Sequence, residues 1–156
     1  MDRLNFPVYE FRIRQDGTRQ SIFDPFRKKY VALSPEEWVR QHLARYLVEE
    51  KQVPAGLVSL EAWVKVVNEN KRYDLVVFSN KAVPLLVAEV KAPGVKIDRP
   101  VIDQAMRYNH SLKAPFILIS NGLRHFCFQF DYATRQFELS PSIPSYPELL
   151  HCGESL

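Results

Sequence analysis

Glu89-Val90-Lys91 closes the apolar run Leu85-Leu86-Val87-Ala88, and Asp74 stands inside the run Tyr73-Asp74-Leu75-Val76-Val77-Phe78. Side chains alternate along a strand, so Glu89 and Lys91 are expected on one face with Leu85 and Val87. A carboxylate and an ammonium on a core-facing side are costly unless they pair or bind something. A hairpin through the loop near Asn80 brings Asp74 opposite Glu89. Facing carboxylates repel, and a shared proton or a divalent cation relieves them. A hard cation such as Mg2+, or Mn2+ in its place, takes carboxylate oxygens, keeps several waters and also coordinates phosphate oxygens. With Lys91 beside it to orient a water or offset phosphate charge, this set suits in-line attack on a phosphodiester. A Glu-x-Lys triplet alone carries little information; an Asp on the preceding apolar run gives it weight. The competing arrangement is a group of strand-end charges solvated at the sheet rim, with Asp74 paired to Arg72 or Lys91.

Gln104 and Tyr108 stand one helical turn apart in Gln104-Ala105-Met106-Arg107-Tyr108. Tyr108 falls on an apolar stripe and reads as a half-buried core residue. Gln104 is polar and flanks that stripe, placed to hydrogen-bond a phosphate or a base edge beside the carboxylates.

These residues need elements to hold them. Ser34-Pro35-Glu36-Glu37 predicts a helix start: Ser34 caps, Pro35 fits the first turn and Glu37 completes a capping box. Val39, Leu43, Tyr46 and Leu47 follow at helical spacing, to an end near Lys51 before Pro54 and Gly56. Extended runs over 59–67, 72–79 and 84–91 have short connections that suit antiparallel hairpins. A second helix is predicted over 99–112, with Pro100 in its first turn and Val101, Ala105, Tyr108 and Leu112 on one stripe. Residues 115–120 read as a buried strand, 124–130 as another, and 136–139 as an edge. At the N-terminus, Gln15-Asp16-Gly17-Thr18 between extended runs 8–14 and 19–23 signals a hairpin. Arg27-Lys28-Lys29 reads as a solvated loop, with nucleic-acid contact as its alternative. Pro141, Pro144 and Pro147 suggest an irregular tail over 140–156. The sum is one α/β domain over 1–156, with a mixed sheet flanked by helices.

At 156 residues the chain is long enough to bury a core without staples. Its hydrophobic content of 46% and charged content of 25% are ordinary globular values. The formal charge of +3 neither demands nor opposes a nucleic-acid partner. Two cysteines with no CxxC pair argue against a disulfide framework and a structural zinc site. His125 and Cys127 alternate with Phe126 and Phe128, which reads as packing. No GxSxG elbow, dinucleotide fingerprint or GxxxxGK[ST] phosphate loop is present. No apolar leader opens the N-terminus and no apolar run is long enough to span a bilayer, so a cytoplasmic location without membrane partners is expected.

Four stretches carry a family resemblance. They are Pro35-Glu36-Glu37-Trp38-Val39-Arg40-Gln41, Arg72-Tyr73-Asp74-Leu75-Val76-Val77, Leu86-Val87-Ala88-Glu89-Val90-Lys91-Ala92-Pro93 and Asp103-Gln104-Ala105-Met106-Arg107-Tyr108-Asn109. In this order they resemble the PD-(D/E)xK nuclease superfamily. More narrowly, they resemble the N-terminal nuclease domain of type I restriction enzyme R subunits in its compact, single-domain bacterial form. The resemblance covers roughly residues 30–130. It implies a restriction-endonuclease-like α-β-β-β-α-β core, Asp74 and Glu89 as Mg2+ or Mn2+ ligands, Lys91 as the catalytic lysine, and Gln104 and Tyr108 as a Gln-x-x-x-Tyr substrate-binding element. The family's first-helix glutamate falls on Glu37, or on Glu36, as a further metal ligand. Glu61 matches an acidic position before the Asp strand. Tyr73 stands where the family often has Pro.

The function expected is a metal-dependent DNA endonuclease or exonuclease. DNA is the partner, and a separate motor or specificity subunit would supply translocation or target choice. The alternative is a non-catalytic module that keeps the fold and binds nucleic acid or protein. Affinity for a divalent ion at the triplet separates the two.

Overall fold

The structure, a computed structural model, describes residues 1–154. A small sheet comes first: β1 (Ile13–Asp16), β2 (Arg19–Asp24) and β3 (Lys29–Ala32), antiparallel in that order. Helix α1 (Pro35–Lys51) and a short 3-10 turn lead into β4 (Val58–Val66), β5 (Glu69–Phe78) and β6 (Pro84–Val90). Helix α2 (Arg99–His110) crosses over to β7 (Phe116–Ser120), followed by β8 (His125–Asp131), β9 (Gln136–Leu139) and α3 (Tyr146–Glu154). The large sheet runs β4 to β9 in chain order. Among the described strands only β6 and β7 pair in parallel, because a helix rather than a hairpin joins them. This is the mixed α/β architecture expected.

The sheet has two packed faces. Leu75, Leu86, Ala88 and Leu118 meet Val39, Leu43 and Leu47 of α1 and Leu149 of α3. Val76, Val87, Ile117 and Ile119 meet Ala105 of α2 together with Leu112. No described helix is long and apolar enough to cross a membrane.

Four details depart from the sequence reading. The N-terminal pairing begins at Ile13, later than expected, and Arg27-Lys28-Lys29 is more than a loop. Lys28 takes a left-handed turn at φ 57° and Lys29 opens β3, which pairs with β2. Leu85 does not share the face of Val87 but joins the α1 and α3 side, because the β5–β6 register shifts between Val77 and Phe78. The tail is not wholly irregular, for it holds α3. Ser145 Oγ and Glu148 Oε1 lie 2.9 Å apart in a capping-box arrangement, Pro147 fits the first turn, and Leu149 is fully buried. Ser155 and Leu156, the last residues of the expected tail, lie outside the described residues.

Two histidines tie the N-terminal segment to this frame. His42 Nδ1 lies 2.8 Å from the Trp38 carbonyl, within a cluster of Phe11, Trp38 and Phe6 rings. His125 bridges Ser120 Oγ at 2.7 Å and the Asn5 carbonyl at 3.0 Å. Gly122, at φ 85°, lets Leu4 close over it; a Cβ there would meet a Leu4 methyl at 2.8 Å. Burial lowers both histidine pKa values below the ordinary 6.5, against the opposing pull of their carbonyl partners. The unfolded chain then binds more protons than the fold once pH drops through about 6.5, so stability is lost in that direction. The melting temperature is expected to fall as pH is lowered from about 7.5 to about 5.5, with a shallower fall for His42→Phe. A flat profile in both proteins would show that neither ring is held neutral by the fold.

Candidate active site

Strand register sets the two carboxylates together. Leu75 pairs with Ala88 and Val76 with Val87, and one further step sets Asp74 against Glu89. Asp74 Oδ2 accepts a 2.8 Å hydrogen bond from the Val90 backbone N–H, so its carboxylate bends over the end of β6. Glu89 Oε1 lies 3.2 Å from Lys91 Nζ, and its Oε2 accepts from the Asn109 amide at 3.3 Å. The Lys91 backbone donates to the Ser120 carbonyl at 2.8 Å, which extends the β6–β7 pairing and fixes the root of its side chain. Asp74, Glu89 and Lys91 line one cleft of about 230 Å³ with Arg72, Val101, Gln104, Ala105 and Tyr108. A larger hollow of about 640 Å³ lies beside β8 and β9, but rings and cations line it and no carboxylate does.

Gln104 and Tyr108 enter the cleft from α2, with different freedom. The Tyr108 hydroxyl donates to the Arg72 carbonyl at 2.8 Å and its ring lies under Lys71 Nζ at 4.7 Å, so it clamps α2 to β5. Gln104 is exposed and its side chain makes no hydrogen bond among the described residues, which leaves its amide open toward the cleft. Arg107 is exposed, away from these lining residues.

Behind Asp74 sits a buried hub. The Arg40 guanidinium is only 6% exposed and meets Glu37 at 2.7 Å, Glu61 at 2.7 Å, Glu36 at 3.1 Å and Asp74 at 3.4 Å. Burial alone would lower its pKa, but Glu37, Glu61 and Asp74 outweigh that and raise it. Arg72 reaches the other oxygen of Glu61 at 2.9 Å. Glu61 itself stands at φ 53°, where the β4–β5 ladder skips the step opposite Asp74. Asp74 therefore pairs with Arg40, and neither Arg72 nor Lys91 is its partner.

The model of the type I restriction enzyme R protein N terminus matches residues 35–144, a span that contains every residue of this cleft and hub. The chain belongs to the type I restriction enzyme R protein N-terminal family. Its fold is similar to the solved fragment assigned to an HsdR subunit of a type I restriction enzyme from Vibrio vulnificus YJ016. That likeness has a TM-score of 0.54 and 21% identity over 79% of this chain, and the chain spans about a quarter (26%) of the other's length. No curated protein matches it.

The R-protein N-terminal site fits a hard cation in one specific way. Among the described residues no group of three or more His, Cys, Asp or Glu side chains is arranged to cage an ion. Two carboxylates with the remaining positions open is the usual Mg2+ arrangement, since that ion keeps waters and takes phosphate oxygens. Glu37, expected as a third ligand, does not line the cleft. Its oxygens meet Arg27 at 2.7 Å, Arg40 at 2.7 Å and Gln41 at 3.1 Å, and the residue is buried. Only half of its capping box forms as well, with Glu37 N donating to Ser34 Oγ at 3.0 Å. The α1 carboxylate nearer the site is Glu36. Burial first, and then the charge of Asp74, raise its pKa, while Arg40 and Lys91 pull it down.

Sequence reasoning missed Arg40 and Asn109. Asn109 is 1% exposed, and its amide also donates to the Ala105 carbonyl at 2.7 Å. An asparagine one turn beyond Ala105, on the buried stripe of α2, was the signal for it. Arg40 follows Val39 on the buried side of α1, where an unpaired cation is untenable, and that was the signal for the hub.

Proposed function

We propose that this chain is a divalent-metal-dependent nuclease that hydrolyses phosphodiester bonds of DNA in the cleft between β5, β6 and α2. The observation that carries the reading is the convergence of Asp74, Glu89, Lys91 and an unengaged Gln104 on one small polar cleft. Asp74 and Glu89 would hold Mg2+ or Mn2+. When bound, such an ion polarises a phosphoryl oxygen and lowers the pKa of a coordinated water. Val90 N–H and Asn109 hold the two carboxylates in place before any ligand arrives. Lys91, on a backbone fixed to β7, offsets charge that grows on the phosphate. Gln104 donates to a phosphate oxygen or a base edge. Tyr108 positions α2 through its bond to Arg72 and supplies part of the cleft wall. A motor or specificity subunit would supply translocation and target choice, in the cytoplasm.

The test incubates the full chain with Mg2+ or Mn2+ and linear duplex, supercoiled and single-stranded DNA. Cleavage of at least one form, abolished by EDTA, is the expected result. An intact substrate in every case would overturn the nuclease reading and leave a binding module on the same fold.

A further inference from the structure

The small N-terminal sheet lies before the residues that the family model matches, and it is charged unlike the rest of the molecule. Residues 11–32 hold six lysines and arginines against two aspartates, a net +4, whereas the whole chain carries +3, so the remainder is net −1. Of the six cations, Arg27 is spent internally. It pairs with Asp24 through Nε and with Glu37 at 2.7 Å. Arg12, Arg14, Arg19, Lys28 and Lys29 are all exposed, and none has an ion-pair partner among the described residues.

Register shows where they point. Ile13 pairs with Ile22 and Ile22 with Val31, and Ile22 is fully buried, so this face is turned inward. Phe23 pairs with Tyr30 and its N–H donates to the Arg12 carbonyl. Alternation therefore sets Arg12, Arg14, Asp16, Arg19, Phe23 and Tyr30 outward together, three cations against one carboxylate, and Lys28 is exposed in the turn that precedes β3. The Arg12 guanidinium lies 4.0 Å from the Phe23 ring centre, and that of Arg14 lies 3.8 Å from Tyr30. At these distances each guanidinium covers one face of its ring, and neither makes an ion pair among the described residues. A ring face covered by a guanidinium is not open for stacking on a base. The guanidinium N–H donors, which make no hydrogen bond among the described residues, suit phosphate oxygens.

Four successive ion pairs join this sheet to the cleft: Asp24 to Arg27, Arg27 to Glu37, Glu37 to Arg40 and Arg40 to Asp74. The outer face is thus fixed to the frame that holds Asp74. Resting on the DNA reading of the cleft, we infer that the outer face of β1–β3 is a docking surface for the phosphate backbone of duplex DNA, without base readout. It holds substrate that the small cleft alone cannot grip.

The test measures anisotropy of a labelled random-sequence duplex with the full chain in EDTA, over a range of salt. The parent is expected to bind with a steep salt dependence. Replacing Arg12, Arg14 and Lys28 together by Gln should weaken binding roughly ten-fold or more. The slope of log K against log salt should fall by about 0.9 for each phosphate that the variant no longer neutralises. Arg135→Gln, at the far edge of the large sheet, should change neither. The pair Arg19→Gln with Lys28→Gln touches no ring contact and serves if the triple variant fails to fold. Unchanged affinity and slope in the folded variants would overturn the proposal, as would a parent that ignores duplex DNA but binds vesicles of anionic lipid. A parent that binds in this charge-dependent way yet cuts nothing would sink the nuclease reading while sustaining the docking surface. A variant that loses binding to long duplex but still cuts at saturating DNA sustains both.

Discussion

Lys91→Ala is expected to cut DNA roughly two to three orders of magnitude more slowly than the parent, while binding Mn2+ at least as well. The ammonium lies 3.2 Å from Glu89 and lines the cleft, so its removal takes a repelling charge from the proposed cation site. DNA affinity should drop only by about one phosphate contact. In the proposed reaction Lys91 acts on charge that develops on the phosphate, which appears in the barrier and little in ground-state binding. Asp74→Asn separates the roles. It keeps an oxygen to accept from Val90 N–H but removes charge from the proposed cation site, so metal affinity and cleavage should fall together. Single-turnover cleavage, with metal titration followed by calorimetry, distinguishes the two variants. Equal cutting by parent and Lys91→Ala would show that Lys91 does no more than pair with Glu89.

The parts of this site that were legible in the sequence are those set by local periodicity. Alternation along 72–78 and 84–91, with a short connection, was enough to oppose Asp74 and Glu89, and helical spacing put Gln104 beside them. What was not legible depends on partners distant in sequence. Glu36 and Glu37 are adjacent and chemically alike. Only Arg27, arriving from the N-terminal sheet, and Arg40 decide that Glu37 turns inward and Glu36 stays near Asp74. Leu85 changed face through a register shift that no alternation pattern announces. The miss at α3 is different, for its signal was present. Ser145-Tyr146-Pro147-Glu148 repeats the logic of Ser34-Pro35-Glu36-Glu37, but Pro141 and Pro144 nearby made the segment read as irregular. Proline disfavours a helix interior and suits a first turn, so its position mattered more than its count.

The other large effect concerns stability. Arg40→Ala is expected to destabilise the fold by about 3–5 kcal/mol, the scale for removing one partner from a buried ion-pair network. The energy lost is mostly that of the carboxylates left behind. Glu37 is as buried as Arg40, with both side chains 6% exposed, and Glu61 and Asp74 are largely covered at 21% and 17%. Without the guanidinium, Glu37 keeps Arg27 and Gln41, and Glu61 keeps Arg72, but Asp74 is left with no ion-pair partner among the described residues while Glu36 acts on it. Arg40→Lys should recover only a fraction, because one ammonium cannot reproduce a planar fork that serves four carboxylates. Arg107→Ala, on the exposed side of α2, should stay within about 0.5 kcal/mol of the parent. Urea unfolding of the three variants measures this, and a loss below about 1 kcal/mol for Arg40→Ala would show that the carboxylates are hydrated without it. The same electrostatics makes a second readout. With Arg40 gone, the charge around Asp74 is more negative, so Mg2+ should raise the unfolding midpoint of Arg40→Ala by more than it raises that of the parent. Adding Asp74→Asn to Arg40→Ala should remove that extra gain, because the excess negative charge and the proposed ligand are then lost together.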